Sequence, residues 1–183
     1  ALLQNEAPLE IINKYLIPAL DFVGEGFEKK TLFLPQLLMS ADAAKAAFDV
    51  IRDSVGGSGE ANGEKVIIAT VHGDIHDIGK NIVKVLMENY GYIVIDLGKD
   101  VPVETVVAAA KEHDAKVVGL SALMTTTVAA MEETIIALRK EVDCKVVVGG
   151  AVLTEEYAQK IGADCFAPNA VSAVNFVNKV FGK

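Results

Sequence analysis

The sequence predicts an α/β protein in which a small helical unit precedes a doubly wound sheet of five parallel strands. Short runs of β-branched residues recur after residue 65 and alternate with amphipathic helical patterns, which is typical of βα repeats. Before residue 56, apolar residues recur at helical spacing instead. A glycine-rich stretch separates the two patterns, so we expect the chain to divide there.

The first half is predicted to be a small antiparallel helical bundle. Pro18 suits the first turn of one helix, where its missing N–H costs nothing, and Pro35 opens the other. The apolar positions that keep the helical period are Leu9, Ile12, Leu16, Leu20, Val23 and Phe27, then Leu37, Leu38, Ala41, Ala44, Phe48 and Ile51. Four glycines within 56–63 then predict a flexible linker, assigned to residues 57–64.

The second unit, residues 65–183, is predicted to hold five strand and helix repeats. Strands are predicted at 66–69, 93–95, 117–120, 146–148 and, most weakly, 165–167, with helices near 78–85, 103–110, 128–138, 155–161 and 171–180. Five strands of this kind most often take the flavodoxin-like order 2-1-3-4-5. The ligand crevice then lies at the carboxyl ends of strands 1 and 3, so the loops after strands 1, 3 and 4 should carry any chemistry.

Composition excludes several function classes. Seventeen basic and twenty-five acidic residues give a net charge of −8, which argues against a nucleic-acid partner because such partners are bound largely by Lys and Arg. No apolar run approaches the roughly 18 residues of a membrane span, and the start lacks a secretory signal, so we expect a cytoplasmic protein without a membrane partner. Cys144 and Cys165 lack metal-ligand spacing and are expected to be buried.

The loop after strand 1 concentrates ionisable residues. His72 and His76, two of the three histidines, lie there beside Asp74 and Asp77. A neutral imidazole is a common metal ligand, and a carboxylate on its second nitrogen fixes the tautomer and the orientation of the ring. Asp74, two residues before His76, is suited to that task, so His76 is the candidate metal ligand.

The other two loops offer hydroxyl groups and bare backbone. Thr125, Thr126 and Thr127 follow strand 3, where a threonine can also be an ordinary helix cap. Gly149 and Gly150 follow strand 4 and form either a plain turn or a place where a bulky group approaches the backbone. The glycine patterns that bind dinucleotides and nucleoside triphosphates are absent from the sequence.

Together these segments resemble a known module. Residues 74–79 form a D-x-H-x-x-G pattern, followed by S-x-L at 121–123 and by G-G at 149–150, and this set resembles the cobalamin-binding domain. The helical half, with Phe33-Leu34-Pro35-Gln36, resembles the cap domain of corrinoid methyltransferases. The resemblance covers essentially the whole chain and implies a cap at 1–56, a linker at 57–64 and a cobalamin-binding α/β domain at 65–183.

The resemblance also implies residue roles. His76 would replace the corrinoid's own nucleotide base as the lower axial ligand of cobalt, with Asp74 and Thr127 forming its hydrogen-bonded relay. The family more often has serine at the position of Thr127, which also offers a hydroxyl. Phe33 and Leu37 would cover the upper face of the cofactor as a lid. The remaining cofactor contacts that the resemblance implies are Gly73, Asp74, Ile75, Asp77, Gly79, Ser121, Leu123, Thr125, Gly149, Gly150, Ala151, Asn169 and Ala170.

The implied function is methyl carriage, in which cobalt takes a methyl group from one substrate and passes it to a second. The implied partners are methyl-donor and methyl-acceptor domains or subunits and a reductive activation partner, and no turnover is expected without them. The pattern looks most like the cap and cobalamin region of a methionine synthase, which transfers methyl from methyltetrahydrofolate to homocysteine. The alternative is a free-standing corrinoid protein of a methanol, methylamine or methoxy-aromatic methyltransferase system.

A hydrolytic metal site is a more distant alternative. His72, Asp74, His76 and Asp77 also suit a metal-dependent phosphoesterase, since Asp-x-His after a strand occurs in such sites. That chemistry needs further ligands from later loops, and His113 is the one histidine left to supply them.

Overall fold

The structure is a computed structural model that describes residues 6, 11–54 and 63–182. Most of the predicted linker, and Leu9 of the first predicted helix, lie outside these described residues. The helices are α1 Ile17–Glu28, α2 Leu34–Ser54, α3 Ile78–Asn89, α4 Val103–Glu112, α5 Val128–Glu141, α6 Glu155–Lys160 and α7 Ala170–Phe181. The strands are β1 Lys65–Thr70, β2 Ile93–Asp96, β3 Val117–Ser121, β4 Lys145–Gly149 and β5 Cys165–Phe166.

In the described part of the chain, five strands form one parallel sheet in the order β2-β1-β3-β4-β5. The predicted flavodoxin-like order is therefore confirmed. The strand β1 pairs with β2 on one side and with β3 on the other, in a register that places Thr70 opposite Ser121. The loop after Thr70 consequently starts at the switch point of the sheet, where ligands of doubly wound proteins bind.

Helices cover both faces of the sheet, as its continuous β-branched strands require. On one face α4 and α5 bury Val106, Met131 and Ile135 against the sheet. On the other face, Met87 of α3 and Val174 of α7 are buried against it. Apolar residues predicted for α4, α5 and α7 therefore face the core, whereas Ile78 at the start of α3 is 78% exposed.

Described residues of the helical half are buried in the same apolar core as α3 and α7. Leu20 of α1 and Leu37 of α2 are buried in the same cluster as Val171 of α7. Gly24 lets α1 approach α7 closely, because a Cβ at this position would lie 3.1 Å from Val171 Cγ1. The helical half therefore packs beside the face that carries α3 and α7.

Local signals explain how the two N-terminal helices begin. Pro18 lies in the first turn of α1, as the sequence predicts. The segment Ile12–Leu16 before it forms a π-helical turn, which the apolar spacing did not predict. The amide of Phe33 donates a hydrogen bond of 2.8 Å to Gln36 Oε1, which caps the start of α2.

None of the helices in the described residues is long and apolar enough to span a membrane.

Candidate functional site

His76 lies on the loop between β1 and α3, held by the carboxylate of Asp74. His76 Nδ1 is 2.8 Å from Asp74 Oδ1, and the His76 amide donates to the same oxygen at 3.0 Å. Asp74 is fully buried, whereas the imidazole is 44% exposed. Among the described residues, His76 Nε2 has no hydrogen-bond partner, so this nitrogen is available to a ligand from outside the chain.

The second oxygen of Asp74 binds the loop after β3. Asp74 Oδ2 accepts hydrogen bonds from the amides of Leu123 at 2.7 Å and Met124 at 3.2 Å. Thr127 Oγ1 lies 2.8 Å from the same oxygen. One carboxylate thus joins the loops after β1 and β3, the two strands that flank the switch point.

These contacts determine the charge of Asp74 and the tautomer of His76. Burial alone would raise the pKa of Asp74, but the donors from His76, Leu123 and Thr127 outweigh burial and hold the pKa well below its ordinary value. Asp74 is therefore ionised at neutral pH and can only accept hydrogen bonds. In the neutral form of the imidazole, Nδ1 therefore carries the proton that is donated to Asp74, and Nε2 keeps a lone pair.

Thr127 does not cap α5, although a threonine at a helix start commonly does. Its side chain makes no bond to the first free amides of the helix. The Oγ1 atom instead lies 2.8 Å from Asp74 Oδ2 and 2.8 Å from the Met124 carbonyl oxygen, in a position that is 5% exposed. The hydroxyl therefore supports the Asp74 carboxylate.

Beside His76, a cleft with a volume of about 540 Å³ opens at the carboxyl end of the sheet. Its walls are α3, the ends of β1, β3 and β4, and the start of α7. Most lining residues are small or apolar. The predicted contact residues that line it are Ile75, His76, Asp77, Gly79, Ser121, Leu123, Gly149, Gly150, Ala151, Asn169 and Ala170.

The chain's own backbone closely approaches Gly149, the last residue of β4, and Gly150, which follows it. A Cβ at Gly150 would lie 1.7 Å from the Ala122 carbonyl oxygen, and its φ of +140° is rarely adopted by other residues. A Cβ at Gly149 would lie 3.2 Å from the Ala167 carbonyl oxygen. Both glycines also line the cleft, so their small size allows the three loops to converge and leaves the cleft open.

The remaining predicted contact residues do not line the cleft in the described part of the chain. Asp74 and Thr127 are buried behind His76, and Thr125 is exposed. Gly73 has a φ of +82°, and a Cβ there would lie 3.4 Å from the Thr127 methyl carbon.

The two predicted lid residues also lie apart from the cleft walls. Phe33, at the start of α2, is 67% exposed. Leu37, one turn later, is 2% exposed within the core that α1, α3 and α7 share.

One wall of the cleft, formed by α3, was not predicted from the sequence. Lys80, Val83 and Met87 line the cleft, and their spacing of three and four residues places them on one helix face. Helical periodicity counted from Gly79 could have identified them. Lys80 is 4% exposed, and its Nζ lies 2.6 Å from Asp96 Oδ1 at the end of β2.

At this site the described residues offer a metal one free imidazole nitrogen, His76 Nε2. Within residues 11–54 and 63–182, no three His, Cys, Asp or Glu side chains lie together in a way that could hold a metal ion. A cofactor that brings its own metal, already coordinated on its other sides, fits this arrangement. A long, narrow substituent of that cofactor fits the small-residue cleft beside His76.

Comparison with known proteins agrees with this geometry. Residues 64–175 and residues 1–52 each match a family described as B12 binding domain. Dimethylamine corrinoid protein 1 of Methanosarcina acetivorans is 44% identical over 171 residues, covering 91% of this chain and 80% of that protein.

Two solved structures are similar over nearly the whole chain. A cobalamin-binding protein from Desulfitobacterium hafniense has a TM-score of 0.84 and 35% identity, with coverage of 95% of this chain and 83% of that one. The methanol:cobalamin methyltransferase complex of Methanosarcina barkeri has a TM-score of 0.81 and 29% identity, with coverage of 100% and 71%. The chain therefore belongs to the B12-binding family of corrinoid proteins, and a corrinoid of the cobalamin type is its cofactor.

Proposed function

We propose that this chain is the free-standing methyl carrier of a methylamine or methanol methyltransferase system. The observation that carries the proposal is the 44% identity to a dimethylamine corrinoid protein over 91% of the chain, a length that includes residues of both the helical half and the sheet. The similarity to a methanol:cobalamin methyltransferase complex supports the same type of system. Residues 1–56 would be its cap, 57–64 its linker and 65–183 its corrinoid-binding domain.

In this proposal His76 is the protein ligand of cobalt. Its Nε2 faces away from the protein core, while Asp74 holds Nδ1 at 2.8 Å. The buried, ionised carboxylate of Asp74 fixes the orientation of the imidazole ring through this contact. Thr127 and the amides of Leu123 and Met124 fix the carboxylate in turn.

The cleft beside His76 would receive the nucleotide tail of the cofactor. Ser121 and Asn169 place polar side chains in a wall that consists otherwise mainly of small and apolar residues. Ile75, Ile78 and Leu123 expose apolar side chains close to His76, where they can pack against the corrin ring and exclude water.

The bound corrinoid supplies a cobalt centre that accepts a methyl group from one substrate and donates it to another. The chain's own residues bind and orient the cofactor and limit access to it. A carrier of this kind has no turnover alone and needs a methyl-donor partner, a methyl-acceptor partner and a reductive activation partner.

The methionine synthase interpretation has less support than the free-standing carrier. Its substrates, methyltetrahydrofolate and homocysteine, are not those of the relatives, whose names refer to dimethylamine and methanol. The hydrolase alternative lacks the cluster of ligands that a dinuclear site needs among the described residues.

Methylation of the bound corrinoid by different donor systems tests this proposal. The chain is loaded with cobalamin, reduced, and mixed in turn with a dimethylamine, a trimethylamine or a methanol methyltransferase and its substrate. Absorbance then follows methylation. We expect at least one of these systems to methylate the carrier and methyltetrahydrofolate with a methionine synthase donor domain not to do so. Methylation by the folate system alone would favour the methionine synthase interpretation.

A further inference from the structure

Asp100, on the loop after β2, contacts the segment that precedes His76 at three points. Its Oδ1 accepts a hydrogen bond of 2.7 Å from the Gly73 amide and lies 2.8 Å from His72 Nδ1. The Asp100 amide donates a bond of 2.9 Å to the Asp74 carbonyl oxygen. The residue therefore binds the backbone on both sides of the Gly73–Asp74 peptide.

The conformation of Asp100 makes these contacts possible. Its φ is +53°, in the left-handed region that most side chains avoid and that aspartate tolerates better than most. An adjacent parallel bridge between Val71 and Val101 keeps the two loops side by side. The left-handed turn directs both the amide and the carboxylate of Asp100 toward the loop after β1.

We infer that Asp100 is a positioning residue for His76, which it holds in place by fixing the backbone of Gly73 and Asp74 from the β2 side. The Asp74 carboxylate is already fixed on the β3 side by Leu123 and Thr127. Those contacts act on the carboxylate, whereas the contacts of Asp100 act on the amide of Gly73 and the carbonyl oxygen of Asp74. Asp100 therefore adds a second point of attachment to the loop, on the β2 side.

Asp96, the last residue of β2, contacts the chain on the C-terminal side of His76. Asp96 Oδ1 accepts from Lys80 Nζ at 2.6 Å and from the Gly98 amide at 2.9 Å. Lys80 lies in the first turn of α3, just after the histidine loop. Asp100 on the loop after β2 thus contacts the chain before His76, and Asp96 at the end of β2 contacts the chain after it. The strand β2 itself lies outside the switch point where the sequence placed the chemistry.

The inference rests on the proposed role of His76 as the cobalt ligand, and its test separates the two. Asp100→Gly removes the carboxylate and accepts the positive φ without strain, whereas Asp100→Asn keeps an oxygen that can accept from Gly73. Asp114→Gly is the matched control, because Asp114 has a φ of +46°, carries the same charge and is 89% exposed at the other end of β3.

The first measurement is hydrogen exchange in the protein without corrinoid. The His76 amide bonds to Asp74 Oδ1 and does not contact Asp100, so its exchange reports positioning at a distance. We expect exchange at His76 to be about fivefold faster in Asp100→Gly and to change little in Asp100→Asn and Asp114→Gly. Unchanged exchange in Asp100→Gly would overturn the inference, whatever the cofactor does.

The second measurement is electron paramagnetic resonance of nitrogen-15-labelled protein loaded with cobalamin and reduced to cobalt(II). Coupling to nitrogen-15 identifies the protein's imidazole and distinguishes it from the corrinoid's own base. In Asp100→Gly we expect the ratio of histidine-bound to histidine-free cobalt to fall about five- to tenfold, with recovery in Asp100→Asn.

If the nitrogen-15 coupling of the wild type persists fully in Asp100→Gly, the inference about Asp100 is wrong, while the assignment of His76 as the cobalt ligand stands. Wild-type protein that binds cobalamin without nitrogen-15 coupling would overturn the proposed ligand and, with it, this role for Asp100.

Discussion

The Thr127 hydroxyl lies 2.8 Å from Asp74 Oδ2, although 53 positions separate the two residues in the sequence. The opposite oxygen of the same carboxylate holds His76. A hydroxyl on the loop after β3 therefore acts on an imidazole on the loop after β1 through one buried anion. This connection explains why a threonine at the start of α5 is buried without capping the helix.

Substitutions of Thr127 test this connection. Thr127→Val keeps the shape of the side chain but removes the hydroxyl group that bonds to the buried Asp74 carboxylate. We therefore expect a loss of about 1–3 kcal/mol in unfolding free energy. Histidine ligation of bound cobalamin should weaken in parallel. Thr127→Ser, which retains the hydroxyl, is the control and should keep ligation. Urea unfolding and absorbance spectra measure both effects, and equal ligation in the valine and serine variants would contradict the connection.

Gly150 is predicted to be irreplaceable because of the Ala122 carbonyl oxygen. Gly150→Ala would bring Cβ to 1.7 Å from that oxygen and should cost more than about 4 kcal/mol or abolish folding. Gly91→Ala is the control, since Gly91 also has a positive φ, +82°, but no atom within 4 Å of a Cβ. It should lose only about 1–2 kcal/mol. Similar urea midpoints for the two variants would show that the close contact is relieved at little cost.

The two predicted lid residues should respond differently to truncation. Leu37→Ala empties a core position that is 2% exposed and should cost about 2–5 kcal/mol in unfolding free energy. Phe33→Ala, at a position 67% exposed, should change stability by less than about 0.5 kcal/mol. If Phe33 covers the cofactor, its removal should speed photolysis of bound methylcobalamin. An unchanged photolysis rate would remove Phe33 from the lid.

Tyr92 should make the protein sensitive to alkaline pH. Burial, with a smaller contribution from Glu64, raises the pKa of Tyr92 to about 12, whereas the unfolded value is about 10. Above pH 10 the unfolded chain loses this proton while the folded chain keeps it, so unfolding becomes more favourable. The stabilisation is complete below about pH 10 and disappears as the pH rises toward 12, a change of roughly 2–3 kcal/mol.

Tyr92→Phe measures this contribution. The variant loses the 2.6 Å hydrogen bond from the hydroxyl to Asn178 Oδ1 but can retain the packing against Phe181. Its stability should therefore fall less steeply than that of the wild type between about pH 10 and 12. Tyr157→Phe, which removes a hydroxyl at a partly exposed position, serves as the control. Parallel pH curves for wild type and Tyr92→Phe would contradict the assignment.

The sheet could be predicted from sequence because local pattern determines it. Runs such as Val146–Val148 have few alternatives to a strand buried on both faces, and the order of five strands then follows a common rule. Pairing of Asp74 with His76 was likewise predictable, since they are only two positions apart in the sequence. The fit of the chain to the family confirmed the cofactor.

Contacts between distant segments were not predictable in the same way. The need for Gly150 depends on the Ala122 backbone, and the contacts of Asp100 depend on a left-handed turn in another loop. Leu37 has the helical spacing of either a lid or a core residue, and only its burial in the cluster shared by α1, α3 and α7 places it in the core. No local sequence signal specifies these relationships.

The most direct test is the absorbance spectrum of the purified protein loaded with hydroxocobalamin or methylcobalamin and freed of excess ligand, beside His76→Ala and the control His113→Ala. We predict that wild type and His113→Ala retain the corrinoid with the spectrum of histidine ligation, and that His76→Ala loses that spectrum. Retention of the same spectrum by His76→Ala would contradict the assignment of His76 as the cobalt ligand.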